Sequence, residues 1–264
     1  GRINKIKKNK PKDDYKLVIA GCVAQAEGKE IKKRAPSVAF VVGPQSYHNF
    51  PDMLDTSDKI VSDEFTQNEK FKNLLNNSAG GVSEFVSIQE GCDKFCTFCI
   101  VPFTRGRERS RSIASIIKEV KHAVSNGFVE ITLLGQNVNS YLTPHGDFVT
   151  LIEEVAKVKG VERIRYTSPH PKDINDELLE IMSLYPNICD YVHLPLQSGS
   201  SKILNRMNRT YSKEEFIALA KKIKSYMPNC SISTDIIVII YTTIETTPSI
   251  PSNASHLSHP TPIE

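Results

Sequence analysis

Short apolar runs alternate with amphipathic stretches as far as residue 238 of this chain, which predicts an α/β protein. The first elements are a buried strand, a helix and a second strand, at 16–20, 24–34 and 38–42. Gly43-Pro44 then predicts a turn, and a helix begins near Ser46. This order predicts that residues 1–54 hold the start or the remainder of a small parallel α/β domain.

A longer series of strand–helix repeats extends over residues 84–238. Its predicted strands lie at 85–88, 129–134, 162–166, 191–194 and 231–238. Apolar residues at helical spacing separate them, and Ser212 and Glu215 form a capping-box pattern before a helix that ends at Tyr226. Five such repeats predict a partial (β/α) barrel whose site lies at the C-terminal ends of the strands.

Two segments lack this regularity. Residues 55–83 are polar and contain Gly80-Gly81, which is typical of an interdomain linker. Residues 239–264 are rich in Ser, Thr and Pro and have no periodicity, so we expect a disordered tail. The predicted fold is therefore a partial (β/α) barrel preceded by a small parallel α/β domain.

The composition is ordinary for a globular protein, with 264 residues of which 39% are hydrophobic and 24% charged. No run approaches the ~18 apolar residues of a membrane span. The start has neither an initiator Met nor an apolar signal-peptide core, which indicates an internal start. Six cysteines without an export signal favour reduced thiols and a cytoplasmic protein, and the lack of a long apolar run favours no membrane partner. A net charge of +3 does not by itself demand a nucleic-acid partner.

Three cysteines, Cys92, Cys96 and Cys99, stand on one short stretch with the spacing C-x3-C-x2-C. Three thiolates can hold three irons of a [4Fe-4S] cluster and leave the fourth iron open to a small chelating molecule. Zinc is the competing interpretation. A structural zinc site takes four ligands, usually as two pairs, and no second pair follows here, although a three-thiolate zinc site stays open. The spacing therefore favours iron–sulfur.

Other candidate residues surround this triplet in sequence or end a strand. Four alternating arginines follow it directly, at Arg105, Arg107, Arg109 and Arg111, and suit phosphate or carboxylate groups of a substrate. The lysine run at 5–12 is more typical of a solvated face. Cys22 ends the first predicted strand, where open α/β sheets place ligands, or is a small buried apolar residue.

Several motifs occur in one order along residues 1–238. The central one is Glu-Gly-Cys-Asp-Lys-Phe-Cys-Thr-Phe-Cys-Ile-Val-Pro-Phe-Thr-Arg-Gly-Arg at 90–107. The others are Gly-Cys-Val-Ala-Gln-Ala-Glu-Gly at 21–28, Arg-Ala-Pro at 34–36, Val-Gly-Pro-Gln at 42–45, Leu-Leu-Gly-Gln-Asn-Val-Asn at 133–139, Thr-Ser-Pro-His at 167–170 and His-Leu-Pro-Leu-Gln-Ser-Gly-Ser at 193–200. Together they resemble the radical S-adenosylmethionine (SAM) methylthiotransferases, and most of all the MiaB-type tRNA methylthiotransferases.

The resemblance implies a transferase that adds a methylthio group to C2 of N6-isopentenyladenosine beside the tRNA anticodon. It implies that Cys92, Cys96 and Cys99 hold a [4Fe-4S] cluster whose open iron chelates SAM. It also implies that Cys22 is the third ligand of an auxiliary [4Fe-4S] cluster. The implied partners are the tRNA anticodon stem-loop and an electron donor such as flavodoxin or ferredoxin.

Side chains near the triplet and at strand ends are candidates for the remaining contacts. The candidates for SAM binding are Phe98, Gln136, Asn137, Ser168, Gln197 and Ser198. The candidates for substrate binding are Arg105, Arg107, Arg109 and His170. A structural role is equally open for His170 and His193, and so is core packing for Phe98.

The chain departs from the family pattern at both ends. The family has two more cysteine ligands before the region of Cys22, and after Val238 it continues into a Gly-Phe-Pro-Gly loop and a small RNA-binding domain. Here the tail from Ile239 follows instead, so we expect a fragment. Relatives that modify threonylcarbamoyl-adenosine in tRNA or a ribosomal-protein aspartate are alternatives, although Gln-Asn-Val-Asn at 136–139 resembles the isopentenyladenosine enzymes better. An inactive metal- or RNA-binding remnant is the third alternative.

Overall fold

The computed structural model describes residues 16–54, 61–62 and 81–238. The lysine run, most of the predicted linker and the predicted disordered tail lie outside these residues. The chain divides into two compact units. Of the described residues, the first unit holds 16–54, 61–62 and Phe103–Arg105, and the second holds 81–102 and 106–238.

The first unit is built on a short parallel sheet, as the sequence predicts. Its elements are β1 (Val18–Ala20), α1 (Cys22–Arg34), β2 (Phe40–Val42), α2 (Phe50–Leu54) and β3 (Val61–Ser62). Strand β2 lies between β1 and β3, with Val18 opposite Phe40. Val41 packs with Ala24 on one face of the sheet, while Phe40 packs with Met53 in a separate cluster. Strand β3 lies inside the segment predicted to be a linker. It was not predicted, because a strand of two residues has no recognisable sequence pattern.

The second unit is a series of parallel strands with intervening helices. Its strands are β4 (Ser83–Ser87), β5 (Gln89–Glu90), β6 (Arg109–Ser110), β7 (Glu130–Leu134), β8 (Leu142–Thr143), β9 (Gly146–Asp147), β10 (Arg163–Tyr166), β11 (Tyr191–His193) and β12 (Ser231–Ser233). Its helices are α4 (Ile113–Ser125), α5 (Phe148–Ala156), α6 (Asp176–Leu184), α7 (Ser201–Arg206) and α8 (Lys213–Tyr226), and α3 (Val101–Arg105) begins in this unit and ends in the first.

Parallel pairing follows chain order within the described residues. Strand β7 lies between β4 and β10, and β11 pairs with β12. A single parallel bridge joins Ile164 of β10 to Ile188, just before β11. The structure therefore confirms the predicted parallel α/β architecture. Two antiparallel pairs, β5 with β6 and β8 with β9, were not predicted, because each strand has two residues.

The last strand is shorter than its predicted span of 231–238. Regular pairing ends at Ser233, after which the hydroxyl of Thr234 accepts a hydrogen bond from the Leu196 amide, 2.8 Å away. A side chain thus replaces a backbone acceptor, and pairing resumes as an isolated bridge between Gln197 and Ile236. The irregular segment lies where the strand ends meet the loops that carry the candidate residues.

Packing and capping fix the helices on the sheet. The buried core includes Ile116 and Val120 of α4 and Leu151 of α5, against Ile131 and Leu133 of β7. Side-chain oxygens of Ser112, Asp147, Asn175 and Ser212 cap helices α4, α5, α6 and α8. At α8 both reciprocal bonds of the predicted capping box are present. No helix in the described part of the chain is long and apolar enough to cross a membrane.

Candidate metal centre

The cysteine triplet lies on the loop between β5 and α3. The loop begins at Gly91, whose φ of +87° favours glycine. A Cβ atom at Gly91 would lie 2.1 Å from the carbonyl oxygen of Arg107 and 2.5 Å from that of Gly106. The Cys92 amide donates to this Gly106 oxygen over 3.1 Å. The start of the loop at Gly91 thus packs against the backbone at Gly106 and Arg107, too closely for any side chain at position 91.

The three thiols share one environment. Cys96 is buried, Cys92 and Cys99 are half-buried, and the Cys99 amide donates to the Cys96 carbonyl over 2.9 Å. Burial raises the pKa of Cys92 to about 11, and the nearby charges of Glu108, Cys96 and Cys99 act in the same direction. A bound cation would reverse this effect, since thiolates, not thiols, bind metals.

The donor set suits an iron–sulfur cluster. Among the described residues, no group of three or more His, Cys, Asp or Glu side chains is placed to hold one metal ion. In a [4Fe-4S] cluster each cysteine thiolate binds a separate iron, and Cys92, Cys96 and Cys99 would supply three such ligands.

The turn at 206–209 supports the cysteine loop from the other side, and we call it the cradle. The Thr97 amide donates to the Met207 carbonyl, and the Thr97 hydroxyl donates to the Arg206 carbonyl, each over 3.1 Å. The Asn208 side-chain amide donates to the carbonyls of Lys94 and Phe95, 3.2 and 3.0 Å away. These bonds hold the middle of the loop by its backbone.

One cradle side chain reaches a thiol of the triplet. Arg209 is buried, with 8% of its surface exposed, and its Nη1 lies 3.5 Å from Sγ of Cys96. Its Nε and Nη2 atoms donate to the Tyr211 hydroxyl over 2.9 and 2.7 Å, and Nη2 also donates to the Pro195 carbonyl over 2.9 Å. The sequence interpretation did not include Arg209, because no local pattern marks it.

The loop after β7 is bound directly to the start of the cysteine loop. Oε1 of Gln136 accepts from the Gly91 amide over 2.7 Å. The side chain of Gln89 also joins the two loops. Its Nε2 donates to the Gly91 carbonyl, and its Oε1 accepts from the backbone amides of Gln136 and Asn137. Gln89 is 2% exposed. The predicted SAM candidate Gln136 thus positions Gly91, and Gln89 is a partner that the sequence did not reveal.

Asn137, another SAM candidate, is buried with 1% exposure. Its Nδ2 donates to Asp173 over 2.9 Å and to Glu108 over 3.5 Å, and its Oδ1 accepts from the His170 amide over 3.2 Å. Asp173 also pairs with Lys94 of the cysteine loop. Asn137 therefore joins three loops, and its position favours a supporting role over direct contact with a ligand.

His170 is buried and has partners at its ring and backbone. Its Nδ1 accepts from the Lys172 amide over 3.3 Å, and its amide donates to Oδ1 of Asn139 over 2.8 Å. Burial, with the charge of Arg209 acting in the same direction, lowers the pKa of His170 from 6.5 to about 3. These features favour the structural alternative for this histidine. His193 binds the Ser233 hydroxyl and Asp235, and so links β11 to the segment after β12.

Backbone strain marks the same loops. In the described residues, positive φ outside glycine occurs at Phe95, Ser168, Gln197 and Asn208. Phe95 lies in the cysteine loop and Asn208 in the cradle, while Ser168 and Gln197 are SAM candidates. Such strain concentrates at functional sites because the surrounding structure must maintain it. Ser198, beside Gln197, accepts from the Ser200 amide through its hydroxyl over 3.3 Å.

The aromatic and arginine candidates differ in exposure. Phe98 is 43% exposed, which leaves its ring accessible beside the thiols. Arg107 is exposed and its guanidinium carbon lies 5.3 Å from the centre of the Phe95 ring. Arg105 and Arg109 are half-buried, at the end of α3 and in β6. Arg111 is different, because it is buried and donates to the Ser87 carbonyl over 2.7 Å, which indicates a structural role.

The other cysteines lie apart from this loop in sequence. Cys22 is half-buried at the first position of α1, one residue beyond the end of β1. All six cysteines fall within the described residues and none forms a disulfide. Cys230 is completely buried, and Cys189 is half-buried.

Comparison with known families gives one match over more than half of the chain. Residues 86–249 match the model described as the Radical SAM superfamily. The tRNA-2-methylthio-N(6)-dimethylallyladenosine synthase of Cereibacter sphaeroides is 46% identical over 242 residues, covering 90% of this chain and 55% of the relative. The enzyme of the same name from Ruegeria pomeroyi is 45% identical over 247 residues, covering 90% and 56%. The chain spans about half the length of these curated relatives.

Solved structures share the fold at low identity. The cobalamin-dependent SAM radical enzyme OxsB, with aqua-cobalamin and SAM bound, matches with a TM-score of 0.59 at 14% identity, covering 83% of this chain and 36% of that chain. Its apo form matches with a TM-score of 0.54 at 12% identity, covering 89% and 42%. This likeness concerns the fold alone.

Proposed function

Because the chain belongs to the radical SAM superfamily, we propose that it is the radical core of a tRNA methylthiotransferase that acts at C2 of N6-isopentenyladenosine. The structural observation that carries the proposal is the cysteine loop, whose three thiols are held between a tight glycine turn and the cradle. The identity of 46% with enzymes named for this modification supports the choice of reaction.

Three residues would hold the cluster. Cys92, Cys96 and Cys99 each supply one thiolate, and an iron without a protein ligand stays open to SAM. When bound, such a cluster supplies the electron that cleaves the sulfonium of SAM and yields a 5′-deoxyadenosyl radical. The chain itself fixes the loop through Gln136 and Thr97, and it partly excludes water by burying Cys96.

We propose that SAM lies over the strand ends around this loop. Phe98 presents an exposed ring for apolar contact, and Ser168, Gln197 and Ser198 border the same face with strained or irregular backbone. Gln136 and Asn137 support that face from beneath, since both side chains already bind protein groups. His170 then contributes by fixing the loop after β10, rather than by contacting substrate.

For the substrate we propose the tRNA anticodon stem-loop, in the cytoplasm. Arg105, Arg107 and Arg109 follow the cysteine loop directly, so phosphates bound there would bring a base close to the cluster. Arg107 is the best placed for this contact, since its side chain is 54% exposed. An electron donor such as flavodoxin or ferredoxin would have to reach the same cluster.

We also propose Cys22 as a ligand of the auxiliary cluster. Its place after β1 is suitable, but a single thiolate cannot hold a [4Fe-4S] cluster, and Cys22 is the sole cysteine among the first 73 residues. The residues present therefore supply only one of the ligands that an auxiliary cluster needs.

A first experiment tests the radical core. The full chain is reconstituted anaerobically with iron and sulfide, and iron, sulfide and absorbance are measured before SAM and a reductant are added. We expect about four irons per chain and release of 5′-deoxyadenosine. Cys96→Ser should abolish both results, whereas the control Cys189→Ser, at a half-buried cysteine outside the loop, should retain them. Zinc without iron in anaerobically purified protein would contradict the cluster.

A second experiment tests the substrate. An anticodon stem-loop carrying N6-isopentenyladenosine with deuterium at C2 is added to the reconstituted chain. Abstraction at C2 should move deuterium into 5′-deoxyadenosine, which mass spectrometry detects. A stem-loop carrying threonylcarbamoyl-adenosine with the same label should transfer little. If cleavage of SAM proceeds but neither label is transferred, the radical core stands and the proposed substrate does not.

A further inference from the structure

Arg209 is a buried cation whose oxygen partners are neutral. Its guanidinium donates to the phenol of Tyr211 and to the carbonyl of Pro195, so the described part of the chain provides no carboxylate in hydrogen-bond contact with it. A buried charge without a counter-charge is costly to the folded state. Its guanidinium carbon also lies 5.0 Å from the centre of the Tyr211 ring, and its remaining hydrogen-bond contact is Sγ of Cys96, at 3.5 Å.

The guanidinium is held in one orientation. Nε and Nη2 both bind the Tyr211 hydroxyl, which itself donates to the Pro195 carbonyl over 2.9 Å. These bonds direct Nη1 towards Cys96, and the fixed fork of arginine makes that direction specific. A lysine at this position has a single flexible nitrogen and would not occupy all of these contacts.

We propose that Arg209 raises the reduction potential of the cluster bound to Cys96. This inference rests on the cluster of the proposed function. Hydrogen bonds to the ligand sulfurs and net local charge set the potential of iron–sulfur clusters. Reduction adds one negative charge, and a fixed buried cation with an N–H directed at a ligand sulfur stabilises that charge more than it stabilises the oxidised state. Arg209 is thus a positioning and tuning residue, acting through Cys96.

The test is a redox titration of the reconstituted full chain, followed by electron paramagnetic resonance of the reduced cluster. Arg209→Gln removes the charge and should lower the equilibrium constant for one-electron reduction at least tenfold, which corresponds to 59 mV. Arg209→Lys keeps the charge without the fork, and we expect at least a threefold decrease. Arg163→Gln, which removes an exposed arginine that pairs with Glu130, is the matched control and should leave the potential unchanged.

The outcomes separate this inference from the proposed function. If the wild-type chain binds no cluster, both are wrong. If the wild type and Arg209→Gln bind equal amounts of cluster with equal potentials, the tuning role is wrong and the radical core stands. If Arg209→Gln cannot hold a cluster, the redox titration of Arg209→Lys is the test. A cluster potential in Arg209→Lys equal to that of the wild type then overturns the inference.

Discussion

Nζ of Lys94 lies 2.7 Å from Oδ1 of Asp173, which joins the middle of the cysteine loop to the turn that follows β10. Both side chains are largely buried, with 26% and 20% of their surfaces exposed. The other oxygen of Asp173 accepts from Asn137 over 2.9 Å. One carboxylate therefore connects the cysteine loop with the loops after β7 and β10.

This connection predicts that Asp173→Asn lowers the stability of the folded chain. The substituted amide can still accept from Asn137, but it leaves the ammonium of Lys94 without its counter-charge. We expect the free energy of unfolding in urea to fall by about 1 kcal/mol, a value reduced for the remaining solvent exposure. Glu154→Gln, which breaks an exposed pair with Lys157, is the control and should change little. A double-mutant cycle with Lys94→Met should show coupling, and additive effects would contradict the pair.

Gly91→Ala should prevent iron binding. The new Cβ atom would overlap the Arg107 carbonyl at 2.1 Å, and φ of +87° adds strain. Gly127 separates these two effects, because its φ is +90° and a Cβ atom there meets nothing within 4 Å. We expect Gly127→Ala to cost about 1 kcal/mol of stability and to bind iron normally. Iron content after anaerobic reconstitution is the measurement, and normal iron in Gly91→Ala would refute the tight-turn explanation.

The buried His170 predicts a pH dependence of stability. Its pKa is about 3 in the folded chain and 6.5 ordinarily, so the unfolded chain binds more protons between these values. The contribution is fully present above pH 6.5 and is lost as the pH falls towards 3. Between pH 7 and pH 5 we expect a loss of roughly 2 kcal/mol from this group. The free energy of unfolding in urea should depend less on pH in His170→Gln than in the wild type. His145→Gln, at an exposed site, should show the same pH dependence as the wild type.

Ser212→Ala should destabilise α8 through its first turn. The Ser212 hydroxyl accepts from the Glu215 amide over 3.1 Å, and Glu215 accepts from the Ser212 amide over 2.7 Å. Loss of one bond of this capping box costs about 1 kcal/mol. Thermal unfolding of the full chain measures the effect. Ser183→Ala removes an exposed hydroxyl near the end of α6 and should leave the melting temperature close to that of the wild type.

Local pattern was sufficient for most of the repeating elements. Strands predicted at 129–134 and 162–166 occur at Glu130–Leu134 and Arg163–Tyr166. A short apolar run bounded by turn residues is typical of a buried strand. The capping box at Ser212 was predictable for the same reason, since its partners are three residues apart. Spacing alone also predicted the cysteine loop as a candidate metal site, and this stays a prediction.

The support of that loop was not predictable from one sequence. Thr97 and Arg206 are 109 residues apart, and Asn208 binds Lys94 across 114. Nothing local distinguishes these residues from other polar side chains in turns. The same limit explains why His170 was a candidate for substrate binding, since its ring packs against Tyr211 and lies within the electrostatic reach of Arg209, both from a distant segment.

This separation has a consequence for the order of events in biosynthesis. The cysteine loop leaves the ribosome long before the cradle does, because 113 residues separate Cys96 from Arg209. A nascent chain that ends before the cradle carries exposed, unsupported thiols, which are open to oxidation and to stray metals. The proposed cluster can therefore gain the full support of the fold only after residue 209 has been synthesised, and until then the fold gives the triplet no protection.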